Sequence, residues 1–248
     1  AGNTTPGGVI YGSAAAPTWP GSAGGSSYPG GTIGADGGGL LVLQASQKVV
    51  LDGTVAADGE SASSGTHGGG SGGGVNIVCR TFEGAGAISA CGGDAGTFSA
   101  GGGGGGGGRI AIRYDTVAQQ GVTAPTVRFA VSGGRNGYGA LLHAMPGSLY
   151  LSDASFFNPS LITNSMYLIV SNRTSWAPAS IQVQGAWLRV QEGIGVSVAG
   201  DVTVNGPEAQ LELLATSALT CVNFTLTNGA RAWFYSASSN GVSPDYGT

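Results

Sequence analysis

Three aspartates, Asp36, Asp58 and Asp94, stand beside glycines, and they are the nearest this chain comes to a catalytic constellation. A glycosidase needs two carboxylates flanking one bond, about 5 to 10 Å apart. A polysaccharide lyase needs an acidic calcium cluster and a basic proton acceptor. The sequence holds only 13 Asp plus Glu, with no adjacent Asp pair and no Arg-x-Lys cluster. An aspartate next to glycine is ordinarily a turn former whose carboxylate caps nearby backbone. The nonapeptide calcium repeat is absent, and His67 and His143 stand alone without Cys, His or Glu at metal-ligand spacing. No catalytic, metal or cofactor residue is assigned, and the chain is expected not to be an enzyme.

Other reactive types are equally sparse. Cys79 and Cys91 flank one glycine-rich stretch and suit a disulfide that leaves Cys221 unpaired; the competing reading makes all three small buried apolar residues. Sequons begin at Asn3, Asn172 and Asn223 and matter only in a glycosylating host. Gly101–Gly108 contains every spacing of a dinucleotide fingerprint, but it precedes a strand where that chemistry needs a helix N-terminus. By strand alternation Tyr150 and Trp187 point outward, where aromatics stack on sugar rings or on another protein surface.

The elements that position these residues recur. Leu41, Val75, Ile110 and Leu149 each follow a glycine cluster and open an apolar-x-apolar strand, at intervals of 34, 35 and 39 residues. Alternation puts Leu41 with Leu43, Val75 with Ile77 and Ile110 with Ile112 on a buried face, and Asn76 on the solvent side. Second strands follow at Val55–Ala57, Ile88–Ala90 and Phe129–Val131. Beyond about residue 155 the interval shortens: strands at Ile181–Val183, Val202–Val204 and Phe224–Leu226 have partners at Leu188–Val190, Leu211–Leu213 and Ala232–Phe234. A repeat too short to bury its apolar face alone reads as one layer of a stack. The expected fold is all-β, a single right-handed parallel β-helix with glycine-rich turns and almost no α-helix.

The glycine runs also suit bundled extended polyglycine helices packed by close backbone contact, as in collagen. The apolar strands between the runs need a side-chain core, and that argues against a bundle. Residues 1–36 read as a Gly, Pro and Ser-rich lead-in lying along or over the first layer. Residues 37–154 read as long glycine-rich coils, 155–235 as shorter coils and 236–248 as a tail.

Composition excludes several partners. Nine Lys plus Arg, a net charge of −4 and no basic run remove the counterion-release term behind nucleic-acid binding. No apolar stretch approaches the roughly 18 residues that span a bilayer. With 41% hydrophobic and 9% charged residues, a folded core is expected despite 49 glycines.

A series of motifs adds to this reading: Tyr11-Gly-Ser with Ala16-Pro-Thr, Leu51-Asp-Gly-Thr-Val-Ala-Ala-Asp-Gly, Ala90-Cys-Gly-Gly, the run from Gly104 to Tyr114, and Pro146-Gly-Ser-Leu-Tyr-Leu. Over residues 10–235 the series resembles a glycine-rich parallel β-helix repeat of very large secreted or surface-attached bacterial proteins. The resemblance implies architecture and an extracellular or cell-surface location, and it carries no catalytic residues. Cys91 departs from the pattern, which has a small or polar residue there. The expected role is structural, as a subunit of a fibre, sheath, stalk or matrix that joins its own copies through the solenoid ends or the N-terminal segment. A carbohydrate-binding or adhesive module is the alternative, and a β-helical lyase or hydrolase the third.

Overall fold

The computed structural model describes residues 12–26, 34–63, 67–96, 102–137, 143–154, 157, 159, 161–170, 174–214 and 217–235. Strands dominate, as the two-residue alternation requires, and among the described residues every pairing between strands is parallel, the isolated bridge Arg135–His143 being antiparallel. The largest sheet has eight strands, in the spatial order β1 (Leu40–Gln44), β4 (Gly74–Val78), β7 (Arg109–Arg113), β9 (Ser148–Leu151), β10 (Met166–Val170), β13 (Trp187–Val190), β16 (Gln210–Leu213) and β19 (Arg231–Phe234). Four smaller sheets accompany it. One pairs β2 (Lys48–Val50) with β5 (Thr81–Glu83), and a second joins β3 (Thr54–Ala56), β6 (Ala87–Ser89) and β8 (Arg128–Ala130). The others join β11 (Ser175–Trp176), β14 (Gly195–Ser197) and β17 (Ala218–Thr220), and β12 (Ile181–Gln184), β15 (Val202–Asn205) and β18 (Phe224–Thr227).

Register brings like side chains into columns. Leu41 pairs with Val75, Val75 with Ile110, Ile110 with Leu149 and Leu149 with Leu168. The same column continues through Val190, Leu213 and Phe234. Its six middle members are at most 2% exposed, so the core runs across the sheet. The sequence-derived strand pairs fall into register as expected, with Val55 opposite Ile88 opposite Phe129 and Ile181 opposite Val202 opposite Phe224. One short helix, α1 (Thr116–Gln119), interrupts the β structure; Asp115 caps it by accepting from Val117 N and Ala118 N. The helix replaces a missing strand, because the Gln119 amide donates to Phe82 O (2.9 Å) and accepts from Phe82 N (2.8 Å) at the free edge of β5.

Asn76 corrects the alternation argument. It is on the outer side of its strand yet only 4% exposed, because residues 12–20 cross that face. Asn76 Nδ2 donates to Pro17 O (3.3 Å), and its Oδ1 accepts from Arg113 Nη2 (3.2 Å). Asn76→Ala is therefore expected to cost on the order of 1–2 kcal/mol, since it strands buried polar partners. Urea denaturation measures it, and a loss no larger than that of an exposed surface substitution would reject this packing.

The glycine runs form a bundle beside the strands and overturn the choice posed by the sequence: apolar strands and glycine bundle coexist. Residues 21–25, 34–38, 57–62, 67–73, 90–96, 102–108, 131–137 and 144–147 lie side by side, bonded between segments and not within them. Bond direction turns with a period of three residues. The N–H groups of Gly68 and Ser71 donate to Gly25 O and Ser22 O, those of Gly69 and Gly72 to Gly103 O and Gly106 O, and those of Gly70 and Gly73 to Glu60 O and Ala57 O. Three residues per turn without internal hydrogen bonds is the signature of an extended threefold helix. No glycine of these segments has positive φ. Closeness requires glycine instead: a Cβ on Gly72, Gly73, Gly105 or Gly108 would lie under 3.0 Å from a neighbouring carbonyl oxygen. The strands need side chains and the runs need their absence, and the two demands are met in different parts of one repeat.

Of the sequence-defined lead-in, residues 12–26 pack on their own sheet and bundle. Residues 1–11 and 27–33, which include Asn3, Tyr11 and Tyr28, lie outside the described residues, as do Asn172 and the 236–248 tail.

Candidate functional site

Two of the three aspartates, Asp58 and Asp94, are committed to the next repeat. Asp58 Oδ1 accepts from Cys91 N (2.6 Å) and Oδ2 from Ser89 Oγ (2.8 Å), while Asp94 Oδ1 accepts from Arg135 N (2.7 Å). Ser61 Oγ caps Asp94 N (2.9 Å), and Asp36 N donates to Glu60 Oε2 (3.2 Å). These side chains satisfy outward-facing N–H groups at the bundle surface, where the threefold backbone leaves every third donor without a helical neighbour. Among the described residues no group of three or more His, Cys, Asp and Glu could hold a metal ion. His143 Nε2 meets Glu208 Oε2 at 3.3 Å, a partner remote in sequence, and His67 O accepts from Gly96 N (3.0 Å).

Cys79 and Cys91 are not joined: both are free thiols, as is Cys221. Cys79 is buried beside the Ile77 column, and burial pushes its thiol from 9.0 up to about 11. Burial, opposed by a backbone bond from Ser132 and reinforced by Asp58, also raises Cys91. A raised pKa favours the folded, protonated form. The stability linked to Cys79 is thus fully present below 9.0 and is lost as pH climbs toward about 11. Stability measured by denaturation across that window should fall more steeply for the natural protein than for Cys79→Ala, and parallel curves would contradict the burial.

The aromatics converge more than the sequence indicated. On the outer face of the eight-stranded sheet, Tyr167 pairs with Arg189, Arg189 with Glu212 and Glu212 with Trp233, while Trp187 stands in the adjoining column. Arg189 Nε and Nη2 donate to Glu212 Oε2 and Oε1 at 2.8 and 2.7 Å, and Trp187 Nε1 donates to Oε2 at 2.9 Å. The guanidinium lies 5.9 Å from the Tyr167 ring centre and 5.5 Å from that of Trp187. A planar, weakly hydrated cation suits that sandwich, and its bidentate carboxylate leaves the pair almost dehydrated. The Glu212 side chain is 1% exposed.

Trp187 is therefore half-buried and tethered, not an isolated platform. Tyr150, also half-buried, stands opposite Ala111 and Ile169 in a different column. Tyr167, Arg189, Glu212 and Trp233 are not singled out as site residues by the sequence alone. Their signal was the 22 or 23-residue step between Tyr167, Arg189, Glu212 and, after a 21-residue step, Trp233, which places them in one column. Chemically the cluster offers a flat amphipathic surface, with Trp233 46% exposed. Its carboxylate already accepts three charge-assisted or indole bonds, which removes it from acid-base work.

Asn223, the remaining sequon, is exposed, and its Nδ2 donates to Asp201 Oδ1 (2.7 Å). No helix among the described residues is long and apolar enough to cross a membrane. Comparison with protein-family models, with curated proteins and with solved structures returns no match.

Proposed function

We propose that this chain is an extracellular structural module, a single right-handed parallel β-helix whose copies join end to end into a fibre, sheath, stalk or matrix at a bacterial cell surface. The observation that carries the reading is the pair of unlike apolar edges at the two sides of the stacked sheets. Leu40, Val42, Leu43 and Val50 are exposed on the first strands, and Phe224, Leu226 and Phe234 on the last, with Val222 exposed just before β18. Each edge strand has one row of N–H and C=O groups without a strand neighbour among the described residues, and such edges template pairing with another chain. Because the two edges differ, contact between copies is heterologous and continues as an open filament.

Light scattering across a concentration series tests this. Mass should rise with concentration, and Leu43→Lys or Phe234→Lys, each at one edge, should hold the protein monomeric. A natural chain that stays monomeric throughout would defeat the reading.

A second reading, a carbohydrate-binding or adhesive module, is favoured by the aromatic cluster. Trp233→Ala should then abolish retention on a polysaccharide matrix while leaving light scattering unchanged.

A further inference from the structure

Segment 21–25 occupies a defined seat on the flank of the glycine bundle. Its Gly21 and Gly24 N–H groups donate to Gly38 O and Ala35 O, both at 2.8 Å. Its Ser22 and Gly25 carbonyls accept from Ser71 N and Gly68 N, both at 2.9 Å. The seat thus consists of two acceptors on one extended segment and two donors on the next, each pair three residues apart. It also selects its occupant. A Cβ at Gly21 would fall under 3.0 Å from Ser71 O, and one at Gly24 under 3.0 Å from Gly68 O.

The same four groups recur one repeat further on. Ala35 and Gly38 donate to Gly68 O and Ser71 O; Gly69 and Gly72 donate in the same way to Gly103 O and Gly106 O. Gly69 and Gly72 are therefore the counterparts of Ala35 and Gly38, and Gly103 and Gly106 those of Gly68 and Ser71. In the first seat all four equivalent groups are bonded. In the second, among the described residues, the carbonyls of Gly69 and Gly72 and the N–H groups of Gly103 and Gly106 make no hydrogen bond. Beside the two donors the space is clear of described residues: a Cβ at Gly103 would meet nothing within 4 Å, and one at Gly106 only Met145 O at 3.9 Å, while Gly69 and Gly72 themselves are buried along the edge of segment 21–25.

We propose that this second seat binds an extended, uncharged peptide segment with glycine at every third position, Gly-x-x-Gly, running antiparallel to residues 102–108. Its two glycine N–H groups donate to Gly69 O and Gly72 O, and the carbonyls of the residues after them accept from Gly106 N and Gly103 N. Recognition is by main chain and by the exclusion of Cβ atoms, which is how the bundle already holds segment 21–25. The inference rests on the bundle alone and is independent of end-to-end association.

The test uses the full chain and a synthetic peptide of the sequence Pro-Gly-Ser-Ala-Gly-Gly-Ser, that of residues 20–26. Amide hydrogen exchange at Gly103 and Gly106 should slow on the order of tenfold with millimolar peptide, while Gly104, already bonded to Asn136 Oδ1, should not change. A peptide with alanine at both glycines that face the seat should have no effect. Gly103→Pro removes one donor, and its ring fits the negative φ of a threefold extended backbone, so it should keep the thermal midpoint and abolish peptide protection at Gly106. Unchanged exchange at saturating peptide, or equal slowing by the alanine peptide, would overturn the proposal.

Discussion

Gly105→Ala is expected to destabilise the protein by about 4 kcal/mol or more, while Gly103→Ala, in the same glycine run, is expected to stabilise it by about 0.4–1 kcal/mol. The opposite signs follow from position on the threefold helix. A Cβ on Gly105 would lie under 3.0 Å from Gly70 O, with Ser71 N alongside. Those neighbours are backbone atoms and cannot change rotamer. They are also held by bonds in other directions: Gly70 O accepts from Gly93 N, and Gly105 N itself donates to Gly93 O. Relief means moving a whole segment and losing several main-chain bonds, each worth about 1 kcal/mol net. Gly103 faces open space at negative φ, where alanine costs the native state nothing and restricts the unfolded chain. Thermal and urea denaturation of the two variants decide the matter. Two losses of similar size would mean that the run is a loop without specific packing.

Glu212→Ala is expected to cost roughly 3–5 kcal/mol, because it leaves the Arg189 guanidinium buried without its carboxylate and takes an acceptor from Trp187 Nε1. Arg189→Ala should cost a comparable amount for the converse reason. The pair Arg189→Met with Glu212→Leu should recover most of the loss, since a buried ion pair and an apolar pair of similar volume are close in stability. With Arg189→Met and Glu212→Leu also made singly, the coupling in the double-mutant cycle is the diagnostic quantity, and additive losses would show that the two residues act separately.

Much of the fold is legible in the chain. Leu41, Val75, Ile110 and Leu149 announce equivalent positions through their preceding glycines, and a two-residue alternation needs only local sequence to name the buried face. The same is true of the partner strands near Val55, Ile88 and Phe129. Strands with weak alternation, such as Lys48–Val50 and Thr81–Glu83, give no such signal, and α1 sits in a segment that reads as a long turn. The carboxylates of Asp58 and Asp94 were legible as caps because Asp next to glycine has a local role, although the N–H donors they cap lie one repeat away, at Cys91 and Arg135.

What the sequence by itself determined is therefore the repeat, its strand faces and the scarcity of catalytic groups, all properties of nearest neighbours and fixed periods. Only the tertiary structure decided three matters. Asn76 is buried because a segment some 60 residues earlier crosses it; Trp187 is tethered because register sets Glu212 opposite Arg189; and the glycine runs are a bundle because segments from different repeats approach within backbone contact. Glycine permits many conformations and carries no side chain to state a preference, so a run of eight holds no local record of which neighbour each residue will touch. That information exists only once the repeats are stacked.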